Sequence, residues 1–571
     1  MPSLSGVLSD AEFAQIEQQL IDRQWAYLTR PIKQPLIRIW DKKMDFTASI
    51  VLQESWDCEE IAHDDGQANV EIVGKDNDWL RDIVLYKTKP SEDLHITIDP
   101  DPDKPHDWRN RWGGKVVTIE DDEQRGQPNK TVLRCISNRR HLSHFYLAAT
   151  PIFPPAVQPL RMFLWGGPAV TAMSTALWIN LARVYSLNSF SPIPRNIFAP
   201  ETWLENLSPL NWPVQVMPVN AVLDQSRWCT IAARWRDAKS VFTPIMKDCG
   251  VICHAYTWLK GDPAPYTMFG PELAELLKPK RSCVILSFED QSGVSGPTGT
   301  AFDGLLNLIA VTGDDMITEA LLPIDGDGDG ETDPFIRKIL GVAPKRPPWV
   351  YRDVGYGGVQ ARKMVVHKCQ ATDIIVGGKS PAWVNQAITF AIRYGLSQLA
   401  QVINYGVGAY QQPLTEGLDN LYQGQLDDTL LAFMIYTDPI RSMNAGPYAF
   451  REHYQQGSGS AFTVNSVQDA RAGWFATRPY TSIKFDVGDG APFVIGEDIR
   501  LGSRVSAEIR GIVYTDQIMA IKRQGDRKTS GRPMLSFGDD SREEDPMAQG
   551  FATIANLTNF AATIAGSGDM F

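Results

Sequence analysis

The runs GKVVTIEDDE (114–123) and KTVLRCIS (130–137) decide the fold class of this 571-residue chain. Each run alternates apolar and polar residues, and a cluster of turn residues separates the two. Four similar runs precede them: LIRIW (36–40), FTASIVL (46–52), ANVEIVG (68–74) and LHITIDP (94–100). Short alternating runs that are broken by turn clusters are typical of β-strands. The sequence therefore predicts a first β domain over residues 31–150.

Strand-like runs return after residue 280, among them RSCVILSFED (281–290), TSIKFDV (481–487) and GIVYTDQIMAIKR (511–523). They predict a second β domain over 281–523, which also contains a helix at 381–400 that begins after Ser380-Pro381. Between the two β regions, proline-punctuated loops surround one helical pattern at about 168–185. We expect residues 151–280 to form an inserted domain that is rich in α-helix and loops.

The two ends of the chain carry helical patterns. Ser9 and Glu12 form a capping box that predicts a helical arm over residues 1–30. Gly525, Gly531 and Pro533, with the acidic run DDSREED, indicate a linker over 524–545, and a terminal helix is expected over 546–571. The predicted fold class is therefore α+β, β-rich and multidomain.

Composition excludes several classes of protein. A chain of this length exceeds the roughly 250–300 residues that one hydrophobic core organises, so about two to four domains are expected. The formal net charge of −12 lacks the basic footprint of a nucleic-acid-binding protein. The first residues carry neither a basic region nor an apolar run, which predicts synthesis in the cytoplasm without a secretion signal. The uncharged stretch 162–182 is interrupted by Gly166-Gly167-Pro168, so a loop and a buried helix are expected there.

Motifs for chemistry are incomplete. The run TDIIVGGKS (372–380) imitates a phosphate-binding loop, but Asp373 stands where the motif requires its first glycine. An alternative function as a nucleotide-dependent machine would require that Lys379 bind ATP. The seven cysteines lack a spacing framework, which predicts free thiols. The His141/His144 pair and the Cys249/Cys253/His254 group each lack a second cluster of metal ligands.

One acidic loop is a weak candidate for a metal site. The run IDGDGDGETD (324–333) places carboxylates at the ligand spacing of a calcium loop: Asp325, Asp327, Asp329 and Asp333. Ile336 occupies the twelfth position, where such a loop has its bidentate glutamate. A solvated acidic loop is the default interpretation. We therefore predict no catalytic residue, no cofactor and no established metal site, although a glycosidase carboxylate pair needs no sequence proximity and stays open.

Several longer stretches resemble a known family. They include IRIWDKKMDF (37–46), NDWLRDI (77–83), WGGKVVTIEDDE (112–123), FEDQSGVSGPTGTAFDGLL (288–306), LDNLYQGQLDDTLLAF (418–433) and TSIKFDVGDGAPFVIGEDIRLGSRV (481–505). In this order they resemble the large minor tail proteins of long-tailed phages that infect actinobacteria, the central hub of the tail tip. The resemblance covers most of residues 31–520 and contains no catalytic signature.

The resemblance implies hub-type, β-barrel-like domains, three copies of which surround a channel below the tail tube. It implies contacts with the distal tail protein ring, the tape measure protein and other minor tail or receptor-binding proteins. It also implies a place in the virion at the tail tip, after assembly in the host cytoplasm. Host envelope contact would come only as part of that tip, without sequence-specific binding of nucleic acid. The alternative is a tail-tip cell-wall hydrolase whose activity would lie in 151–280.

The terminal segment allows a second hypothesis about the channel. Apolar and small residues recur there at steps of three and four: Phe551, Ile554, Thr558, Ala561 and Ala565. Three such helices could pack on the axis, close the tube or hold the tape measure. A helix that docks on its own hub is the competing interpretation.

Overall fold

A computed structural model gives the fold of the chain. It describes residues 33–74, 77–126, 128–151, 162–186, 207–317, 335–352, 359–377, 433–437, 439–455, 479–488, 493–509, 511–527 and 533–537, and single residues at 14, 15, 18, 19, 21, 22, 25, 29, 153, 158, 160, 473 and 477. The residues of the predicted N-terminal arm that are described are helical and exposed. The predicted helices at 381–400 and 546–571 lie outside the described residues.

The described strands are numbered in chain order. They are β1 Leu36–Trp40, β2 Phe46–Ile50, β3 Gln53–Ile61, β4 Gln67–Val73, β5 His95–Asp99, β6 Trp112–Asp122, β7 Lys130–Ser137, β8 Tyr146–Leu147, β9 Phe163–Pro168, β10 Val214–Val216, β11 Trp228–Ala233, β12 Arg236–Asp237, β13 Val251–Trp258, β14 Cys283–Asp290, β15 Val350–Tyr351, β16 Val359–His367, β17 Asp373–Gly377, β18 Phe433–Thr437, β19 Glu452–Gln455, β20 Tyr480–Gly488, β21 Arg504–Ile509, β22 Ile512–Asp526 and β23 Met534–Phe537.

The described helices are fewer than the strands. They are α1 Asp78–Arg81, α2 Ala169–Tyr185, α3 Ala238–Cys249, α4 Pro271–Leu276, α5 Ala301–Ile317, α6 Phe335–Leu340 and α7 Pro439–Ala445. The first continues as a π-helical segment over Asp82–Lys87, and short 3-10 turns occupy Asn138–His144, Pro209–Asn211 and Thr267–Phe269. The predicted β-rich architecture with some helices is confirmed.

One sheet of thirteen strands joins the two β regions. Its order is β16-β20-β23-β22-β3-β4-β7-β6-β5-β1-β2, with β21 on β22 and β15 on β21. The two halves meet where β22 runs antiparallel to β3, from Ala520 opposite Ile61 to Asp526 opposite Ser55. Residues that are far apart in the chain therefore share one hydrogen-bonded layer.

Alternation in the sequence explains which face of this sheet is buried. In β4, Ala68, Val70 and Ile72 are almost fully buried, while the residues between them are half-buried or exposed. Successive side chains of a strand point to opposite faces, so every second residue reaches the core. The same rule places Cys58 and Cys135 beside Ala68 in one buried cross-strand row.

The sheet corrects the expectation of barrel-like domains. Its end strands, β2 and β16, do not pair with each other, and the strands that the structure describes form no closed barrel. Closure needs a consistent tilt and stagger of all strands, which alternation in single runs does not encode. The barrel-like expectation came from the family resemblance, and the periodicity of the single strands could not test it.

The expected linker over 524–545 is also corrected in part. Strand β22 continues to Asp526, and β23 lies wholly inside the predicted linker. Leu535 and Phe537 are fully buried in the core of the second β region. Gly531 and Pro533 indicated a break in the chain, but the short apolar pattern of Met534–Phe537 supplies a further strand.

The region around the predicted insertion combines helices with strands. The helix expected at about 168–185 is confirmed as α2, whose inner face packs with α3 against the sheet β10-β14-β13. In β13 nearly every residue is buried, because helices cover one face of this small sheet and aromatic residues cover the other. A strand that is buried on both faces loses its alternation, so β13 was not predicted, whereas the apolar run RSCVILSFED did predict its neighbour β14.

Candidate functional site

A buried junction connects the thirteen-stranded sheet to the hairpin between β13 and β14. Arg111, which directly precedes β6, lies at its centre and has a fully buried side chain. The guanidinium donates from Nε to Asp99 Oδ1 over 2.7 Å and from Nη1 to Asp262 Oδ2 over 2.6 Å. It also donates to the carbonyl oxygens of Thr257 and Pro105, at 2.9 Å and 2.6 Å. One side chain therefore joins three segments of the chain.

Both carboxylates of this junction have further donors. Asp99 accepts from Arg38 Nη2 over 2.7 Å, and Asp262 accepts from the backbone amide of Leu259 over 2.9 Å. The His106 ring nitrogen Nδ1 lies 3.1 Å from Asp262 Oδ1. Burial alone would lower the pKa of Arg111, but the hydrogen bond to Asp262 and the charges of both carboxylates outweigh burial and raise that pKa. The guanidinium is therefore a permanently charged, fully paired group.

Close approach of two backbones explains the glycine pair at the start of β6. A Cβ on Gly113 would lie 1.9 Å from Thr257 Oγ1, which is far inside van der Waals contact. The same hydroxyl accepts a 2.8 Å hydrogen bond from Asn138 Nδ2. Only glycine lets β6 cross β13 at this distance. The WGGK segment is therefore a packing requirement of the junction.

A second buried arginine, Arg139, follows β7. Arg139 donates to the carbonyl oxygens of Ile61 and Ala62, at the end of β3. Its Nε and Nη2 atoms have no protein partner among the described residues. Burial lowers the pKa of Arg139. Burial, assisted by the positive charges of Arg139 and Lys247, also lowers the pKa of the neighbouring His63 to about 3. His63 is therefore neutral at ordinary pH.

In the two metal-type patterns, the structure packs His141 against an aromatic ring and divides the Cys249/Cys253/His254 group between two faces of the small sheet. His141 stacks on Phe145, and burial lowers its pKa to about 4. Cys249 and Cys253 lie in the helix-facing core, whereas His254 stacks on Tyr256 on the opposite face of the small sheet. Across the part of the chain that is described, no three histidine, cysteine or acidic side chains group as metal ligands. Burial raises the pKa of Cys253 to about 11, which disfavours a reactive thiolate.

Other predicted residues lie outside the described ranges. They are the acidic-loop carboxylates Asp325, Asp327, Asp329 and Asp333, the terminal residues Phe551, Ile554, Thr558, Ala561 and Ala565, and Lys379 of the phosphate-loop-like run. These predictions stay predictions. None of the helices described above has the length and apolar composition that a bilayer crossing requires.

Helices α5 and α6 carry an exposed apolar surface that the sequence interpretation missed. Its members are large and more than half exposed: Phe302 54%, Ile309 56%, Phe335 52% and Ile339 67%. We call these four residues the α5–α6 surface. The buried side of α5 carries two polar residues beside the fully buried Ala310, since Asp303 and Asn307 are each only 1% exposed. The signal was present as apolar residues at seven-residue spacing, but amphipathic helices ordinarily bury that face.

The polar inner side of α5 has a local structural cause. Asp303 accepts hydrogen bonds from the backbone amides of Thr298 and Gly299 in the preceding turn. Burial would raise the pKa of Asp303, but these hydrogen bonds outweigh burial and lower that pKa. The Trp228 indole donates to the Ala301 carbonyl over 2.8 Å and fixes the start of the helix. The apolar side of α5 is thereby directed to solvent.

Comparison with known proteins identifies the family. A family model described as Siphovirus ReqiPepy6 Gp37-like protein matches residues 36–539. The chain belongs to the Siphovirus ReqiPepy6 Gp37-like family. Minor tail protein Gp28 of Mycobacterium phage L5 is 22% identical to this family member over 432 residues, which are 67% of this chain and 71% of the relative. Gp28 of Mycobacterium phage D29 is 21% identical over 431 residues, with the same coverage. The Gp37-like protein is therefore a siphovirus minor tail protein, as the resemblance implied.

Solved tail proteins align along most of the Gp37-like chain. A tail protein from Neisseria meningitidis MC58 is 9% identical, and the alignment covers 89% of this chain and 98% of that protein at a TM-score of 0.35. Prophage tail protein gp18 from Listeria monocytogenes EGD-e is also 9% identical, with coverage of 92% and 99% and the same TM-score. A superposition at this score does not define a shared fold.

Proposed function

We propose that this minor tail protein is the central hub of the phage tail tip and that three copies close a ring around the channel. The α5–α6 surface supports the proposal most directly. Monomeric proteins rarely expose several large apolar side chains together, and such surfaces mark contacts with other proteins. In a ring of three copies, each junction joins two different surfaces of neighbouring copies, and the α5–α6 surface would supply one of the two at every junction.

The buried Arg111 junction supports the hub proposal because a ring requires subunits with a fixed arrangement of their layers. A buried ion pair gives specificity of arrangement more than net stability, since desolvation offsets much of the attraction. Here Arg111 holds the thirteen-stranded sheet and the β13–β14 hairpin in one orientation through Asp99 and Asp262. Neighbouring copies would then meet with fixed surfaces.

The proposed partners are the distal tail protein ring, the tape measure protein and other minor tail or receptor-binding proteins. The proposed place is the tail tip of the virion, after assembly in the host cytoplasm. The net charge of −12 supports a channel wall along which DNA phosphates slide without binding. We further propose that residues 546–571 form a terminal helix, three copies of which close the channel until ejection.

The protein is proposed to act without breaking covalent bonds. This part rests on the names of its relatives, which are minor tail proteins. A zymogram of the purified protein on mycobacterial-type cell wall gives the direct test. Clearing of the wall would favour a tail-tip hydrolase.

Native mass spectrometry and a cryo-EM map of the intact tail tip test the hub proposal. We expect three copies on the tail axis, with the α5–α6 surface covered by a neighbouring protein. A position away from the axis would refute the hub. Normal tail assembly and unchanged DNA retention after deletion of 546–571 would refute only the closing helix.

A further inference from the structure

The connection between β18 and β19 carries the most exposed apolar side chains of the described residues. Tyr448 is 98% exposed, Phe450 78% and Met443 76%. The first two exceed every other large apolar side chain in the described ranges. A side chain at 98% exposure touches almost nothing of its own protein, so Tyr448 projects outward. We call residues 439–451, which comprise α7 and the turn after it, the β18–β19 loop.

The base and the turn of this loop are held by backbone hydrogen bonds. The amide of Asp373, where β17 begins, donates to the carbonyl oxygen of Arg451 over 2.6 Å. The amide of Ala449 donates to the Gly446 carbonyl oxygen over 3.3 Å and closes the turn that carries Tyr448. Ordering a segment on binding costs conformational entropy, so a loop that is already held loses less. The loop therefore presents its apolar side chains in a fixed arrangement.

The charge of the loop differs from that of the whole chain. Its sequence, PIRSMNAGPYAFR, contains two arginines and no acidic residue, whereas the chain has a net charge of −12. The nearest acidic residues in the sequence are Asp438, just before the loop, and Glu452, the first residue of β19. Arg451 is exposed and directly follows Phe450. Anionic lipid headgroups attract arginine at short range, while salt screens the more distant negative charges of the protein.

We propose that the β18–β19 loop contacts a membrane and inserts Tyr448 and Phe450 among the headgroups of an anionic lipid bilayer. Exposed apolar side chains mark contacts with proteins or with membranes. A protein partner needs a pocket that matches each projecting ring, whereas the fluid boundary of a bilayer accepts such rings without a preformed shape. Tyrosine suits this boundary because its ring is apolar and its hydroxyl stays hydrated. This inference goes beyond the hub proposal and does not require a trimer.

Flotation of the full-length protein with lipid vesicles tests the contact. We expect flotation with vesicles that mix phosphatidylcholine and phosphatidylglycerol, and less with phosphatidylcholine alone. Tyr448→Ser/Phe450→Ser should lower the partition coefficient by about tenfold or more, since it removes both inserted rings. The matched control, Val51→Ser/Tyr86→Ser, changes side chains that are 77% and 76% exposed in the first β region and should float like the parent. No flotation of the parent, or equal flotation of parent and loop variant, would overturn the proposal.

Two further readouts separate a membrane from a protein partner. Native mass spectra without lipid should show the same oligomers for the parent and for Tyr448→Ser/Phe450→Ser. A loss of oligomers in the loop variant would overturn the proposal in favour of a second copy. An environment-sensitive fluorophore on Tyr448→Cys should brighten when anionic vesicles are added, whereas the same fluorophore on Tyr86→Cys should not. Equal responses at the two positions would place the membrane contact elsewhere and overturn the proposal.

Discussion

Replacement of Arg111 by methionine tests whether the buried junction fixes the fold. Arg111 is fully buried, and the side chains of Asp99 and Asp262 are each 2% exposed. Methionine fills much of the volume but removes five hydrogen bonds and leaves two buried carboxylates without their shared cation. Breaking a buried ion pair on one side costs about 3–5 kcal/mol. Asp99 keeps its 2.7 Å hydrogen bond from Arg38, so the cost of an unpaired buried carboxylate comes mostly from Asp262.

The measurement is urea unfolding followed by tryptophan fluorescence. We expect Arg111→Met to lower the free energy of unfolding by about 3–5 kcal/mol. Adding Asp262→Asn should recover part of that loss, since a neutral amide is less costly to bury than an unpaired carboxylate. The control is Arg134→Met, which removes a pair with Glu120 that is about half exposed. If Arg111→Met shifts the midpoint no further than Arg134→Met, the junction does not hold the two layers together.

Three further predictions follow from burial and charge. Gly113→Val should lower the unfolding midpoint strongly, because its Cβ would overlap the Thr257 hydroxyl; a midpoint equal to that of the parent would contradict the packing argument. His63 binds a proton less readily in the folded protein than in the unfolded chain. Above pH 6.5 it is neutral in both states, so its full contribution to stability is present there. As the pH drops from 6.5 towards 3, the free energy of unfolding falls by at most about 1.4 kcal/mol per pH unit. Urea midpoints of His63→Asn should therefore depend less on pH in this window than those of the parent, and an equal dependence on pH in the two proteins would contradict the argument. Ile339→Ser should weaken self-association in native mass spectra without lowering the urea midpoint; a fall in the midpoint would mean that Ile339 belongs to the core.

The sequence predicted most strands that face solvent on one side, and of the two long strands that are buried on both faces it predicted β14 but missed β13. Alternation in β4 is visible because only one face of that strand is buried. Strand β13 lacks alternation because both of its faces are covered. The order of the strands in the large sheet depends on pairing between distant segments, which no local pattern records.

The junction and the exposed surface escaped prediction for different reasons. Asp99 and Asp262 are ordinary acidic residues in the sequence, and only the folded chain brings both to Arg111. The α5–α6 surface was visible as apolar spacing, but the direction of that face depends on the turn that Asp303 holds. The acidic-loop and terminal-helix predictions lie outside the described residues. The family resemblance, in contrast, followed from ordered stretches of sequence and is confirmed.

The pairing of β3 with β22 has a consequence for synthesis on the ribosome. Asp57 lies opposite Gln524, so the ribosome must add about 470 further residues before the partner of β3 is made. At about 5–20 residues per second, the nascent chain waits roughly 20–90 s before this pair can form. During that interval one edge of β3 offers its backbone groups to any extended chain nearby. A host cell producing many copies at once therefore needs chaperones or dilution at this stage, and ribosomes that stop early release fragments prone to aggregate.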